Sequence, residues 1–203
     1  MSIFSAVYRQ FRRPSGILGY LAGWIMANRL SNRARNRWTI SLLGIKPGDR
    51  VLEIGFGPGI AIELAARKAS AGVVVGVDHS PVMLRQAMAR NRAAVETGRI
   101  RLHCGGLELL SGFTEPFDKV YSVNVVQFLP DRLGALAAIK AVLRRGGTIA
   151  TTYQPRHRGA TRNDAFLLAS ELAEDMRKTG YRAIRSEELP LTPLPAVCVL
   201  GEA

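Results

Sequence analysis

The chain has 203 residues, 47% of them hydrophobic, which suits one well-buried domain and is short for two. It carries 28 Lys and Arg against 16 Asp and Glu, and eight of the basic residues precede Asp49, the first acidic residue. This imbalance points to an anionic partner such as a lipid surface, an acidic substrate or nucleic acid, although a solvated helix face explains it nearly as well.

The first element in chain order is a charge-free run, PSGILGYLAGWIMAN at residues 14–28. It is shorter than the ~20 residues that span a bilayer, and it lacks a clear signal-cleavage site. We expect it to form an amphipathic or core-docking helix within a basic N-terminal segment, residues 1–39. Cys104 and Cys198 are far apart, and no histidine has metal-ligand spacing to them, so we expect no disulfide, no metal and a cytoplasmic location.

The remaining residues, 40–203, alternate strand-like and helix-like runs, which predicts a parallel sheet with helices on both faces. The predicted strands are DRVLEIG, GVVVGVD, RIRLHCG, FDKVYSVNVV, TIATTYQ, YRAIRSEEL and AVCVLGE. The predicted helices are GIAIELAARKA, SPVMLRQAMARNRAAVETG, RLGALAAIKAVLRRGG and DAFLLASELAEDMRKTG. Ser80 and Asp131 are predicted helix N-caps, and three prolines between the last two strands favour a long hairpin turn.

A glycine-rich loop follows the first strand in the sequence VLEIGFGPG, residues 51–59. Glycines at this position let a ligand approach the backbone beyond the carboxyl ends of the strands. The dinucleotide fingerprint G-x-G-x-x-G is not met, because its sixth position is Ile60. Glu53 would repel a pyrophosphate but attract a sulfonium or ammonium, and Asp78, at the tip of the second strand, can accept hydrogen bonds from ribose hydroxyls.

The chain resembles the class I S-adenosylmethionine-dependent methyltransferases of the small bacterial type. The resemblance rests on VLEIGFGPG, VVGVDHSPVML, FDKVYSVNVVQFLPD and IKAVLRRGGTIATTY, in that order, and covers roughly residues 40 to 202. It implies a Rossmann-like α/β fold with a seven-stranded sheet, helices on both faces and the last strand antiparallel. It also implies an N-terminal helical lid over a pocket for S-adenosyl-L-methionine.

The same resemblance assigns cofactor contacts. Glu53 would act on the ammonium of the methionine part, often through water, and Asp78 would hold the ribose. Family members often carry an acidic residue after the third strand, where this chain has Gly106, so the adenine contact falls to nearby backbone groups. The other implied contacts are Gly55, Gly57 and Gly59 at the methionine part, His79, Met83 and Leu107 at the adenine, and Asn124 facing the transferring methyl.

The acceptor side is implied by the same family. Beyond Asn124, Gln127 and Phe128 would contact the acceptor, and His157 is a base candidate because substrate loops follow the fifth strand. The lid would contribute Tyr20, Trp24, Met26 and Asn28. Plain structural roles compete for several of these residues: Met83 as core, Asn124 as a cap and His157 as a solvated loop residue.

Three functions remain open. The first is positioning-dominated, in-line methyl transfer to a small anionic or neutral acceptor. The second is N-methylation of phosphatidylethanolamine, with the basic segment resting on an anionic membrane. The third is binding of the cofactor without catalysis. Nucleic acid is disfavoured, because NVVQF is not the amino-methylating Asn/Asp-Pro-Pro-aromatic motif and aromatic residues make up only 7% of the chain.

Overall fold

A computed structural model of the protein describes residues 30–203. The lid residues Tyr20, Trp24, Met26 and Asn28 lie outside this range, so their predicted roles stay predictions. A helix covers Leu30–Leu42 and therefore crosses the predicted boundary at residues 39 and 40, which also stays a prediction.

The described residues form a seven-stranded sheet with the order β3-β2-β1-β4-β5-β7-β6. Strands β1 to β5 are parallel to one another, and β7 is antiparallel to both β5 and β6. The strands are β1 (Arg50–Ile54), β2 (Val73–Asp78), β3 (Ile100–Cys104), β4 (Phe117–Val123), β5 (Leu143–Tyr153), β6 (Arg182–Leu189) and β7 (Ala196–Glu202). The predicted Rossmann-like sheet with an antiparallel last strand is confirmed.

Six α-helices and two short 3-10 helices connect the strands in the described range. The α-helices are α1 (Leu30–Leu42), α2 (Ile60–Lys68), α3 (Pro81–Arg90), α4 (Arg92–Glu96), α5 (Arg132–Val142) and α6 (Arg162–Lys178). The 3-10 helices are Leu107–Gly112 and Val126–Phe128. Both predicted N-caps are confirmed, because the side chain of Ser80 accepts from the Met83 N–H and that of Asp131 accepts from the Gly134 N–H.

Two predicted helix bounds are wrong. The helix predicted over residues 80–98 is two helices, which meet at Asn91. The buried side chain of Asn91 donates to the carbonyl oxygens of Ala87 and Gly59, and this contact with the glycine loop accompanies the break. The predicted helix ending at Gly146 stops at Val142, because Leu143 already pairs with Phe117 as the start of β5.

The sheet separates two hydrophobic clusters. One cluster packs α1, α2 and α3 against side chains such as Val51 and Tyr121. The other packs α5 and α6 against side chains such as Leu52 and Val120. Adjacent strand residues therefore face opposite clusters, as the two-residue period of a strand requires. The carboxyl ends of β1, β2, β4 and β5 form one edge between these layers.

Two further findings apply to residues 30–203. No helix there has both the length and the apolar character needed to cross a membrane. Nor do three His, Cys, Asp or Glu side chains come together there in a group that could hold a metal ion.

Candidate active site

The glycine loop joins β1 to α2 and is built on left-handed backbone. The φ angles are +73° at Gly55, +51° at Gly57 and +79° at Gly59, values that residues with a Cβ rarely adopt. A Cβ at Gly55 would clash with a methyl of Val125, whereas a Cβ at Gly57 would meet no atom of residues 30–203 within 4 Å. Gly57 therefore borders open space at the carboxyl edge, where a bound molecule can reach the backbone.

Asp78 ties this loop to the end of β2. Its carboxylate accepts from the Gly57 N–H over 2.8 Å and from the Ser80 N–H over 2.9 Å. Burial raises the pKa of Asp78, while these two N–H groups lower it. Each carboxylate oxygen accepts one of these bonds, so both retain capacity for ribose hydroxyls.

Glu53 lies beneath the loop, in β1. Its side chain accepts a 2.8 Å hydrogen bond from the hydroxyl of Tyr121 and is 2% exposed. Burial raises the pKa of Glu53 to about 8, against the opposing effect of the Tyr121 bond. A cation bound at this edge would favour the ionised form, which is the relation predicted for an ammonium group.

Asn124 directly follows β4, has a φ of +57° and connects to the end of β5. Its Oδ1 accepts from the Gln154 N–H over 2.8 Å, and its Nδ2 donates to the Gln154 carbonyl oxygen over 3.2 Å. Its own N–H donates to the Thr152 carbonyl oxygen over 2.8 Å. These bonds give Asn124 a positioning role between two strand ends, and its predicted role facing the methyl stays a prediction.

The side of the edge predicted to hold adenine combines exposed and buried groups. His79 is half exposed, with its Nδ1 3.9 Å from Asp78 Oδ1, whereas Met83 is buried in the cluster beneath α3. The Gly106 N–H donates over 2.7 Å to the carboxylate of Glu108, and Leu107 starts the first 3-10 helix. Glu108 thus brings a carboxylate beside the glycine that stands where family members often carry an acid.

A cleft of about 260 Å³ opens beyond Asn124, between the second 3-10 helix and α6. Gln127 connects the two regions, because its Nε2 donates to the Asn124 carbonyl oxygen over 2.9 Å. His157 lines the cleft with its Nε2 4.0 Å from Asp164 Oδ2, and Phe128 completes the 3-10 helix. The other lining residues are Val126, Leu129, Arg132, Tyr153, Leu167, Leu168 and Glu171.

The structure adds residues that sequence reasoning missed. Tyr121 bonds Glu53 across 68 positions, and Gln154 contacts Arg35 of α1 across 119 positions. No local pattern marks Gln154 as a partner of Arg35, since helix docking brings the two together. Only the alternation of β4, which turns Tyr121 to the same face as Glu53, offered a signal.

The carboxyl edge fits an adenosyl cofactor. Gly57 leaves free the volume that a side chain would fill, Asp78 offers a fixed carboxylate, and Glu53 offers an acid that a cation would ionise. The half-exposed His79 borders the same edge, where a flat base can rest.

Comparisons with known proteins agree with this geometry. Residues 51–147 match the family model described as a methyltransferase domain. An uncharacterized methyltransferase of Bacillus subtilis strain 168, YdaC, is 32% identical over 182 residues, covering 90% of this chain and 97% of its own. Aklanonic acid methyltransferase DauC of Streptomyces sp. strain C5 is 40% identical over 108 residues, 52% of this chain and 48% of that protein.

A solved structure shows the same fold. The N-methyltransferase NodS of Bradyrhizobium japonicum, in complex with S-adenosylhomocysteine, superposes with a TM-score of 0.67 at 15% identity, covering 88% of this chain and 90% of its own. The similarity to the Bacillus protein extends over nine-tenths of the chain. With the glycine loop, the Asp78 carboxylate and the seven-stranded sheet, it establishes that the chain belongs to the class I S-adenosylmethionine-dependent methyltransferases.

Proposed function

We propose that this enzyme transfers a methyl group to a small organic acceptor, anionic or neutral, that binds in the cleft beyond Asn124. The observation that carries the proposal is the cleft itself. Its volume of about 260 Å³ lies near the lower end of the range of small-molecule sites, and its lining residue Gln127 bonds to Asn124 at the carboxyl edge.

The lining of the cleft supports an acceptor with an apolar body and a few polar atoms. Val126, Leu129, Leu167 and Leu168 supply apolar surface beside charged groups of both signs. The Oε1 atom of Gln127 is buried and has no hydrogen-bond donor in the described part of the chain. A hydroxyl or amine of the acceptor would satisfy it, and burial without such a partner is costly. The Streptomyces relative is named for an organic acid, which supports an acceptor of this size.

Positioning dominates the proposed mechanism. S-adenosylmethionine supplies a methyl group already activated by its sulfonium, so the protein's task is alignment and exclusion of water. Glu53 and the glycines would hold the methionine part, Asp78 the ribose, and Asn124 would fix the strand ends that border the reacting atoms. His157, beside Asp164, would take the proton when the acceptor must lose one.

The test is turnover, measured as S-adenosylhomocysteine release, with a panel of small phenols, amines and carboxylic acids and with phosphatidylethanolamine vesicles. We expect a small acceptor to be methylated. For a hydroxyl acceptor, the substitution His157→Gln should lower kcat about 100-fold, the size of a general-base effect. The same substitution should leave the Kd for S-adenosylhomocysteine unchanged. Turnover confined to the vesicles would contradict the proposal and support the lipid alternative.

A further inference from the structure

Arg35, in α1, is a buried cation. Its side chain is 4% exposed, and its two terminal nitrogens donate to Gln154 Oε1 and Asn32 Oδ1. Its Nε atom is buried as well and has no hydrogen-bond acceptor among residues 30–203. Moving a guanidinium out of water without a counter-ion is strongly unfavourable, so this arrangement favours binding of an anion.

The neighbourhood of Arg35 makes the need for an anion greater. The Oε1 atom of Gln154 also accepts from Arg156 over 2.8 Å, so two guanidiniums share one neutral oxygen. Burial, and after it the charge of Arg156, lowers the pKa of Arg35 to about 9, which leaves the guanidinium charged at neutral pH.

The first part of the chain offers no counter-ion. Residues 1–48 contain no Asp or Glu, so the N-terminal segment has no side-chain carboxylate to give to Arg35. No acid of residues 49–203 forms an ion pair with Arg35, and its two acceptors, Gln154 and Asn32, are neutral, so a carboxylate of a bound molecule would supply the missing counter-ion.

The position of Arg35 points toward the active site. Thr39, one turn along α1, bonds its hydroxyl to that of Thr152 over 2.6 Å, which fixes the helix to β5. Gln154 follows β5 directly, and its backbone holds the side chain of Asn124. Arg156 is exposed, so the hydrogen-bonded group of Arg35, Gln154 and Arg156 reaches the protein surface at Arg156. The buried cation is thus one residue removed from the strand ends that border the reacting atoms.

We propose that Arg35, with Gln154 and Arg156, forms a binding site for a carboxylate carried by one of the two reactants. The planar fork of a guanidinium matches a carboxylate in shape and forms charge-assisted hydrogen bonds with it. The carboxylate belongs either to the acceptor or to the methionine end of the cofactor. The acceptor case rests on the proposed function, whereas the cofactor case rests only on the family.

The test uses Arg35→Gln in the full-length protein, with Arg35→Lys as the conservative variant. The control is Arg37→Gln, which removes the same charge two residues away from an exposed position on the same helix. Calorimetry measures the Kd of S-adenosylhomocysteine and of 5′-methylthioadenosine, which lacks the amino-acid end. Thermal shifts, with S-adenosylhomocysteine saturating, compare acetate, benzoate and citrate with the neutral acetamide and benzamide.

Two outcomes support the site, and they distinguish a carboxylate of the cofactor from a carboxylate of the acceptor. A cofactor carboxylate predicts that Arg35→Gln weakens S-adenosylhomocysteine about 10- to 100-fold, the effect of losing a charge-assisted hydrogen bond, and leaves 5′-methylthioadenosine unchanged. An acceptor carboxylate predicts that carboxylates, but not amides, raise the Tm of the wild type and of Arg37→Gln, and that Arg35→Gln abolishes this rise. Arg35→Lys should retain part of either effect.

The proposal is overturned if Arg35→Gln folds, as judged by circular dichroism, and changes neither the nucleoside affinities nor the carboxylate shifts. It is equally overturned if Arg37→Gln has the same effect as Arg35→Gln, since general charge would then explain the result. If no small acceptor is turned over but Arg35→Gln still weakens S-adenosylhomocysteine, the proposed function fails and this site stands. If Arg35→Gln does not fold, the same Kd values and thermal shifts are measured on Arg35→Lys. Values equal to those of the wild type then overturn the proposal.

Discussion

At the scale of single residues, the site is built from acids whose surroundings oppose their charge. Glu53 and Asp78 are both buried, and burial raises the pKa of each. Hydrogen bonds from Tyr121 to Glu53 and from two backbone N–H groups to Asp78 only partly offset this cost. In the free protein Glu53 therefore keeps its proton at neutral pH, and a cationic ligand at this edge would favour the ionised form of both acids.

Glu53 gives the first stability prediction. Its pKa is about 8 in the folded protein and close to 4.5 in the unfolded chain. At pH values between these two, the folded protein holds a proton on Glu53 that the unfolded chain has released. The stability of the wild type should therefore fall as pH rises from 5 to 8. Glu53→Gln has no titrating group at this position. The free energy of unfolding of the wild type should therefore fall relative to that of Glu53→Gln by about 1 kcal/mol for each pH unit between pH 5 and pH 8.

Denaturant unfolding of the free protein at pH 5, 6, 7 and 8 measures this difference. Glu96→Gln, the same change at an exposed residue of α4, is the control for removal of one acid. Unfolding free energies of wild type and Glu53→Gln that stay parallel across the series would refute the assignment.

Residues differ in how far the sequence could predict them. Glu53, Gly55, Gly57 and Asp78 were predictable because strand, turn and acid follow one another within a short stretch. In the sequence, Arg35 is one of several arginines in a basic segment, and no local pattern distinguishes it. Its buried contact is with Gln154, which lies 119 positions away. Contacts of that range depend on tertiary packing, which a local pattern does not encode.

At the scale of elements, the β1-to-α2 turn combines two kinds of glycine. A Cβ at Gly59 would lie 2.7 Å from Asn91 Nδ2 and 2.8 Å from Ala87 Cβ, so this glycine permits α2 to approach α3. A Cβ at Gly57 would project into open space at the edge of the sheet. Gly59 thus serves the packing of α2 on α3, and Gly57 leaves room for a ligand.

These roles predict opposite effects of substitution by alanine. Gly59→Ala should lower the free energy of unfolding by about 2–4 kcal/mol, since left-handed strain and overpacking add together. Gly57→Ala should cost only about 1 kcal/mol of stability but should weaken S-adenosylhomocysteine at least tenfold. Denaturant unfolding and calorimetry on both variants measure the two effects, and each variant serves as control for the other. A Gly57→Ala protein with unaltered affinity would show that the open space is not the ligand's.

Element bounds show where pattern reasoning fails. The α5 sequence continues a helical pattern to Arg145, yet the helix stops at Val142 because pairing with β4 claims the following residues. The break at Asn91 has a similar tertiary partner in the glycine loop. The antiparallel last strand, by contrast, was predictable. The prolines between the last two strands indicated a turn, and the family resemblance implied the direction of the strand.

At the scale of the whole molecule, the sheet shields one of the two cysteines. Cys198 lies in β7 with no exposed surface, whereas Cys104 is exposed at the end of β3. Burial raises the pKa of the Cys198 thiol to about 12, so it has almost no thiolate at neutral pH.

Thiol titration with Ellman's reagent should therefore find one reactive group in the native protein and two in denaturant. The second group should react in native buffer only at the rate of global unfolding, because the Cys198 side chain is fully buried in the cluster that packs α1, α2 and α3 against the sheet. Cys104→Ser should remove the fast phase and leave the slow one. Two fast equivalents in the native wild type would show that β7 opens locally.

The order β5-β7-β6 also constrains how the protein is made. A ribosome delivers β6 before β7, yet β6 reaches the sheet only through β7. Until β7 emerges from the exit tunnel, the nascent β5 lacks its outer neighbour, and β6 has nothing to pair with. Early translation products thus expose an unpaired strand that chaperones can recognise, and closure of this side of the sheet waits for one late step in synthesis.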